Sequence, residues 1–228
     1  MRRFMLASLL LLASIAHAET IAVIGTGEVA GALGPEFAAL GHTIVYGSRN
    51  PDRQSVRDLL EKTEGTASAT TPSESVIDAD IVVLAVPGLM VEQITRGLGD
   101  LSGKIIIDPT NPLERGATSH RHAVDTSNAE IIQAAAPQAY VVKAFSTLNW
   151  KTMVDPSESG GPVSIPLVGE SDKAKRVVAK LVDGMGLEPI DLGGIENARW
   201  VEGMLILWIN NRYSSTRESF DFHLRRRP

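Results

Sequence analysis

The stretch Thr20-Ile-Ala-Val-Ile-Gly-Thr-Gly-Glu-Val-Ala-Gly-Ala-Leu33 decides how this chain is read. A short apolar run over residues 21–24 ends abruptly at Gly25-Thr26-Gly27. An apolar run of that length, bounded by glycine, is expected as a buried parallel strand. Val29, Leu33, Phe37 and Leu40 then recur at helical spacing, and Gly41 supplies a C-terminal stop. Strand, glycine turn and helix together form a GxGxxA dinucleotide fingerprint. Gly25 permits the tight turn, Gly27 lets backbone N–H groups approach a pyrophosphate, and Ala30 lets helix pack on strand. A glycine turn with no ligand is the alternative, and the strand before and helix after weigh against it.

The cofactor choice falls at the next strand, residues 43–46, which runs into Gly47-Ser48-Arg49-Asn50-Pro51. An NAD site places Asp or Glu about 20 residues beyond the glycines, to hold the ribose 2′-hydroxyl. Here that place carries no carboxylate. Ser48 can donate a hydrogen bond, and Arg49 can grip a 2′-phosphate with its guanidinium fork. Arg53, expected one turn into the following helix, adds a second cation. The expected cofactor is therefore NADP; an exposed loop with arginines is the competing reading.

The chain has 228 residues, 43% of them hydrophobic and 21% charged, which suits a globular protein with a sizeable core. Arg2-Arg3, an apolar run over residues 4–16 and the Ala16-His17-Ala18 pattern read as a signal peptide over residues 1–18. The mature chain, residues 19–228, is then exported and periplasmic; a mis-assigned start would leave it in the cytoplasm. The arginine pair also resembles a twin-arginine signal, which exports proteins folded around a cofactor. Without those two arginines the net charge moves from −5 to −7, which argues against nucleic acid or anionic membrane as partners. With no cysteine there are no disulfides, thiolate catalysis or Cys-based metal sites.

Further along, Asn50-Pro51 reads as an N-cap with proline at the first helical position, burying Val56, Leu59 and Leu60. Thr71-Pro72-Ser73-Glu74 has capping-box spacing. Residues 81–86 form a continuous apolar run expected as a central strand, ending in Pro87-Gly88 before a helix through Met90, Val91 and Ile94. A strand over 105–108 breaks at Pro109-Thr110-Asn111-Pro112. Ser127-x-x-Glu130 caps another helix, and residues 140–145 form a further strand. This alternation implies an α/β fold with a doubly wound parallel sheet of the Rossmann type. Ligands then sit beyond the carboxyl ends of the strands. That places 25–30, Ser48, Arg49, Asn50, Val86, Pro87, the stretch 109–112 with Asn111, Ser146 and Thr147 around one crevice.

The last third continues as a C-terminal α/β extension of the same domain: a strand over 165–169, a helix over 171–185 and a strand over 188–192. One long helix is expected over 195–213. Residues 204–209 are apolar on every side, so they should be buried in the fold or in a homodimer. Glu196, Arg199 and Glu202 argue against a membrane span. Gly34-Pro35 lies inside the first helix, where a kink is expected.

Taken in order, Gly25-Thr26-Gly27, Gly47-Ser48-Arg49, Ala85-Val86-Pro87, Lys143-Ala144-Phe145-Ser146-Thr147 and the Ala198-Arg199 helix resemble the NADPH:coenzyme F420 oxidoreductases. The same module occurs in the STEAP metalloreductases. The likeness spans about residues 20–224. It implies that Thr26, Gly27, Glu28 and Val29 contact the pyrophosphate, and that Ser48, Arg49 and Arg53 contact the 2′-phosphate. Val86 and Pro87 would lie by the nicotinamide. Two features depart from the family: Ser146 stands where bacterial relatives usually have Asn, and family members are normally cytoplasmic.

Hydride transfer between a nicotinamide and an F420-like deazaflavin or a flavin needs stacked rings in a dry cleft and no protein nucleophile. No catalytic triad, paired carboxylates or metal set is expected. His120-x-His122 is either an exposed loop pair or a metal or proton site. Trp200 and Trp208 either pack in the core or line an acceptor pocket. Two further readings stand beside an NADPH-dependent oxidoreductase. One is an exported NADP-binding module without turnover; the other is a pyrroline-carboxylate-type reductase, which would want a longer helical region.

Overall fold

A computed structural model of the chain describes residues 18–116, 119–214, 218 and 220–227. Residues 1–17 of the expected leader lie outside the described residues. The first half alternates strand and helix: β1 (Thr20–Ile24), α1 (Glu28–Ala39), β2 (Thr43–Gly47), α2 (Gln54–Lys62), β3 (Ala67–Thr70), α3 (Pro72–Ser75), β4 (Ile81–Leu84), α4 (Val91–Gly97) and β5 (Ile105–Asp108). A small hairpin, β6 (Leu113–Arg115) with β7 (His120–His122), precedes α5 (Asn128–Ala135) and β8 (Tyr140–Lys143). Then come α6 (Trp150–Val154), β9 (Ser164–Leu167), α7 (Asp172–Gly184), β10 (Glu188–Asp191) and α8 (Ala198–Arg212).

Six strands form one parallel sheet in the order β3-β2-β1-β4-β5-β8. The order reverses between β1 and β4, which opens a crevice at their carboxyl ends. Alternate residues of the strands feed two apolar layers. Ile21, Val23, Val83, Ile107 and Val142 meet Leu33 and Phe37 of α1 and Val178 and Leu181 of α7. Ala22, Ile24, Val82, Leu84 and Ile106 meet Val91 of α4, Ile132 of α5 and Val201 of α8. Strands covered on both faces have no polar side to show, which is why they read as unbroken apolar runs. β9 and β10 pair in parallel, and β9 joins the main sheet through an antiparallel bridge from Val168 to Lys143.

Several local expectations meet the structure directly. Thr71 and Glu74 form the capping box, and Ser127 accepts from the Glu130 N–H at the start of α5. α1 continues through Pro35. Other details differ. The apolar runs 81–86 and 140–145 leave the sheet early, at Leu84 and Lys143, because the chain turns there into the crevice. Met90 closes a short 3-10 turn and is exposed, and the α-helix expected through it starts one residue later, at Val91. The 195–213 helix is a 3-10 turn, Ile195–Asn197, followed by α8. Its 204–209 segment is not buried among the described residues: Leu207 is 62% exposed and its neighbours are half-buried. Trp200 is 71% exposed and so packs in no core, while half-buried Trp208 donates its indole N–H to the Phe220 carbonyl at 2.9 Å. Among the described residues no helix is long and apolar enough to cross a membrane.

Candidate cofactor site

The β1–α1 turn is built by close backbone approach. Gly25 has φ +109°, and a Cβ there would lie 2.2 Å from the Ala85 carbonyl oxygen just past β4. Its N–H donates to the Gly47 carbonyl at the end of β2, at 3.0 Å. The ends of β1, β2 and β4 are thus tied at one point, and only glycine fits there. Gly27 is different. It is the N-cap of α1, is exposed, and has no side-chain cap beside it. A Cβ at Gly27 would meet nothing within 4 Å. The fold therefore does not require glycine at this position, whereas an anion approaching the free N–H groups of the first turn would. Glu28 is exposed, Val29 half-buried and Ala30 fully buried against the sheet.

At the tip of β2, Ser48 is buried and its Oγ accepts from the Asn50 N–H at 3.2 Å, leaving the hydroxyl hydrogen to donate. Arg49 and Asn50 are exposed beside it. The expected helix start at Asn50-Pro51 is corrected. α2 begins at Gln54 with Arg53 as N-cap, because residues 50–53 close a turn in which the Arg53 N–H reaches the Asn50 carbonyl at 3.4 Å. The correction moves Arg53 toward the crevice, not away from it. Its guanidinium Nη2 donates to Thr26 Oγ1, linking the β2 tip to the glycine turn.

A second group gathers at the ends of β4, β5 and β8. Val86 is half-buried and Pro87 exposed, and a Cβ on Gly88 would lie 2.0 Å from the Asn111 carbonyl oxygen. Asn111 donates through Nδ2 to the Ser146 carbonyl at 3.0 Å, while its Oδ1 is buried without a partner. Phe145 holds φ +60°, a conformation that is strained for a bulky residue. It turns the chain out of β8 and packs its ring edge-on to Phe37 at 6.1 Å. Strain of this kind, on the order of 1–3 kcal/mol, persists only where surrounding structure enforces it.

Beneath this group lies a cluster that sequence reasoning missed. Lys143, Asp108 and Glu202 have fully buried side chains. Lys143 Nζ donates to Asp108 Oδ2 at 2.8 Å, to Glu202 Oε1 at 2.6 Å and to the Thr110 carbonyl. The Asn128 N–H, at the start of α5, also donates to Glu202 Oε1, at 2.8 Å. Asp108 Oδ1 accepts from the Thr110 N–H and hydroxyl, at 2.9 and 2.6 Å. Burial pushes the Glu202 carboxyl above its ordinary range, against the opposing pull of Lys143. The available signal was a lone lysine and a lone aspartate closing otherwise apolar strands. His122 pairs with Glu202 at 2.7 Å, and the His120 ring lies 5.6 Å from that of Tyr213. Among the described residues no three His, Asp or Glu side chains are placed to hold a metal. His42 is a structural acceptor for the Glu19 N–H at 3.1 Å.

An NADP molecule fits these residues in kind. The α1 N-terminus is open to a pyrophosphate, two arginines flank a β2 tip free of carboxylate, and an orphaned Asn111 acceptor marks the far side. The comparisons agree. The family model "NADP oxidoreductase coenzyme F420-dependent" matches residues 20–112. The F420-dependent NADP reductase of Methanothermobacter thermautotrophicus is 29% identical over 208 residues, covering 83% of this chain and 88% of that protein. Metalloreductase STEAP3 of Rattus norvegicus is 30% identical over 189 residues, which is 82% of this chain but 36% of the relative. The chain thus spans about a third of the length of that STEAP protein. A solved structure from Arthrobacter sp. FB24, assigned as an F420-dependent NADP reductase, superposes with a TM-score of 0.82 at 31% identity. That match covers 92% of this chain and 100% of the solved one. The chain belongs to the F420-dependent NADP reductase family and is an NADP-dependent oxidoreductase.

Proposed function

We propose that the protein transfers hydride between NADP(H) and a second, ring-containing acceptor, an F420-like deazaflavin or a flavin. The observation that carries this reading is Arg53 reaching from the tip of β2 to Thr26 in the glycine turn. That contact joins the 2′-phosphate and pyrophosphate subsites into one cationic, glycine-lined crevice. Thr26, Gly27, Glu28 and Val29 hold the pyrophosphate, with Gly25 and Ala30 shaping the turn. Ser48, Arg49, Asn50 and Arg53 hold the adenosine ribose and its phosphate. Val86, Pro87 and Asn111 flank the nicotinamide. Bound NADPH supplies the hydride, and the protein supplies orientation and exclusion of water. The absence of a carboxylate among residues 47–51 supports NADP over NAD.

The apolar face of α8, with Trp200 and Leu207 exposed, supports a homodimer formed through residues 195–213. Export to the periplasm through residues 1–18 belongs to the same proposal and is tested by N-terminal sequencing of protein from its own host. For the function itself, the purified protein is titrated with NADPH and NADH by fluorescence. The NADPH complex is then mixed with F420, flavins and ferric chelates while nicotinamide absorbance is followed. Oxidation by a ring acceptor supports the proposal. Tight NADPH binding with no oxidation by any acceptor would favour a binding module that does not turn over.

A further inference from the structure

Four ionisable side chains from four elements meet where α8 crosses the ends of β5 and β8, and hydride transfer gives them no task. The Lys143 ammonium spends its three N–H bonds on Asp108, Glu202 and the Thr110 carbonyl. Glu202 Oε2 faces His122 Nε2 at 2.7 Å. The other ring nitrogen, Nδ1, lies 2.7 Å from the Val124 carbonyl, which can only accept. Nδ1 must therefore carry a hydrogen. The Nε2···Oε2 contact then needs one further proton, because without it a ring lone pair would face a carboxylate oxygen.

Charge counting agrees with geometry. Asp108 and Lys143 cancel. His122 and Glu202 cancel when one proton lies between them, on either atom, and losing it leaves a net negative charge in the interior. His122 offers the cluster a way to solvent, its side chain being 11% exposed. The other charged groups at this junction are Arg199 of α8, which donates to the Val124 and Thr126 carbonyls, and Glu130 of α5, bonded to Thr126 and Ser127.

We propose that one proton shared by His122 and Glu202 clasps α8 onto the crevice floor, making both of them positioning residues for Thr110 and Asn111. The proton is held at low pH and lost as pH rises. Glu202 is displaced upward by folding, so the stability is full below the unfolded carboxyl value and disappears as pH climbs through the folded one. The clasp opens as pH climbs.

Glu202→Gln separates this device from a merely structural contact. A glutamine Oε1 still accepts from Lys143 and Asn128, and its amide nitrogen donates to the lone pair of a neutral His122, so no shared proton is needed. Thermal unfolding between pH 5.5 and 9.5 is measured for both proteins, with the NADPH dissociation constant alongside. The wild-type Tm is expected to fall by about 5 °C or more on the alkaline side, with weaker NADPH binding over the same interval. The glutamine variant should lose less than half as much. An equal alkaline loss in both proteins overturns the proposal. Should the variant not fold, proton NMR of the wild type decides. A downfield hydrogen-bonded resonance that is present at low pH and vanishes as pH rises supports the clasp, and its absence throughout that pH range overturns it. The unfolding and NMR arms do not depend on the cofactor assignment.

Discussion

The hydroxyl of Tyr46 occupies the place where a side chain on Gly34 would begin: a Cβ there would lie 2.0 Å from the phenol oxygen and 2.7 Å from the ring carbon bearing it. Tyr46 is fully buried and bonded to Thr63 Oγ1 at 2.8 Å, so the ring has nowhere to retreat. This contact gives Gly34 its reason. It lets α1 lie directly on β2, which explains a helix-weakening glycine in the middle of the helix. Gly34→Ala is expected to cost about 1–3 kcal/mol through overpacking, seen as a lower midpoint in urea with an unchanged slope.

The two glycines of the fingerprint should behave differently. Gly27→Ala adds a methyl group into open space at an ordinary φ of −90°. It should leave Tm within a degree or two and weaken NADPH binding, measured by fluorescence, by roughly tenfold or more. Gly25→Ala meets the Ala85 carbonyl at a positive φ and should lower Tm whether or not cofactor is present. A Gly27→Ala protein that binds NADPH normally would remove the pyrophosphate from the α1 N-terminus.

Reversing charge at the β2 tip tests the phosphate assignment. Arg49→Glu places a carboxylate beside Ser48, where an NAD site holds one. The ratio of NADPH to NADH affinity should fall by about two orders of magnitude, a loss of about 3 kcal/mol in discrimination. An unchanged ratio would show that Arg49 does not face the cofactor.

Removing the buried ammonium should be among the most damaging single changes. Lys143→Met leaves Asp108 and Glu202 as neighbouring buried carboxylates with one cation gone. The expected loss is about 3–5 kcal/mol, read by chemical denaturation near neutral pH. In acid, where the carboxylates can take up protons, the gap to wild type should narrow.

The α8 surface is tested by hydrodynamics. If a second copy covers Leu207, then Leu207→Glu should convert a dimer into a monomer in sedimentation velocity with little change in secondary structure. A wild-type protein that sediments as a monomer at tens of micromolar would leave that face unexplained.

Periodicity and turn chemistry by themselves determined β1, the glycine turn, α1, the alternation behind the parallel sheet and the missing carboxylate after β2. Those features are local: a strand covered on both faces must be apolar along its length, and a tight turn must carry glycine within a few residues of it. Tertiary structure alone decided the rest. Residues 108, 122, 143 and 202 share no periodicity, so nothing in their spacing reveals that they neutralise one another in the interior. Arg53 enters the crevice because residues 50–53 close a turn before α2 begins. The apolar stretch of α8 stays half-exposed because whether a face is buried depends on what crosses it, and no stretch of sequence contains its own neighbours.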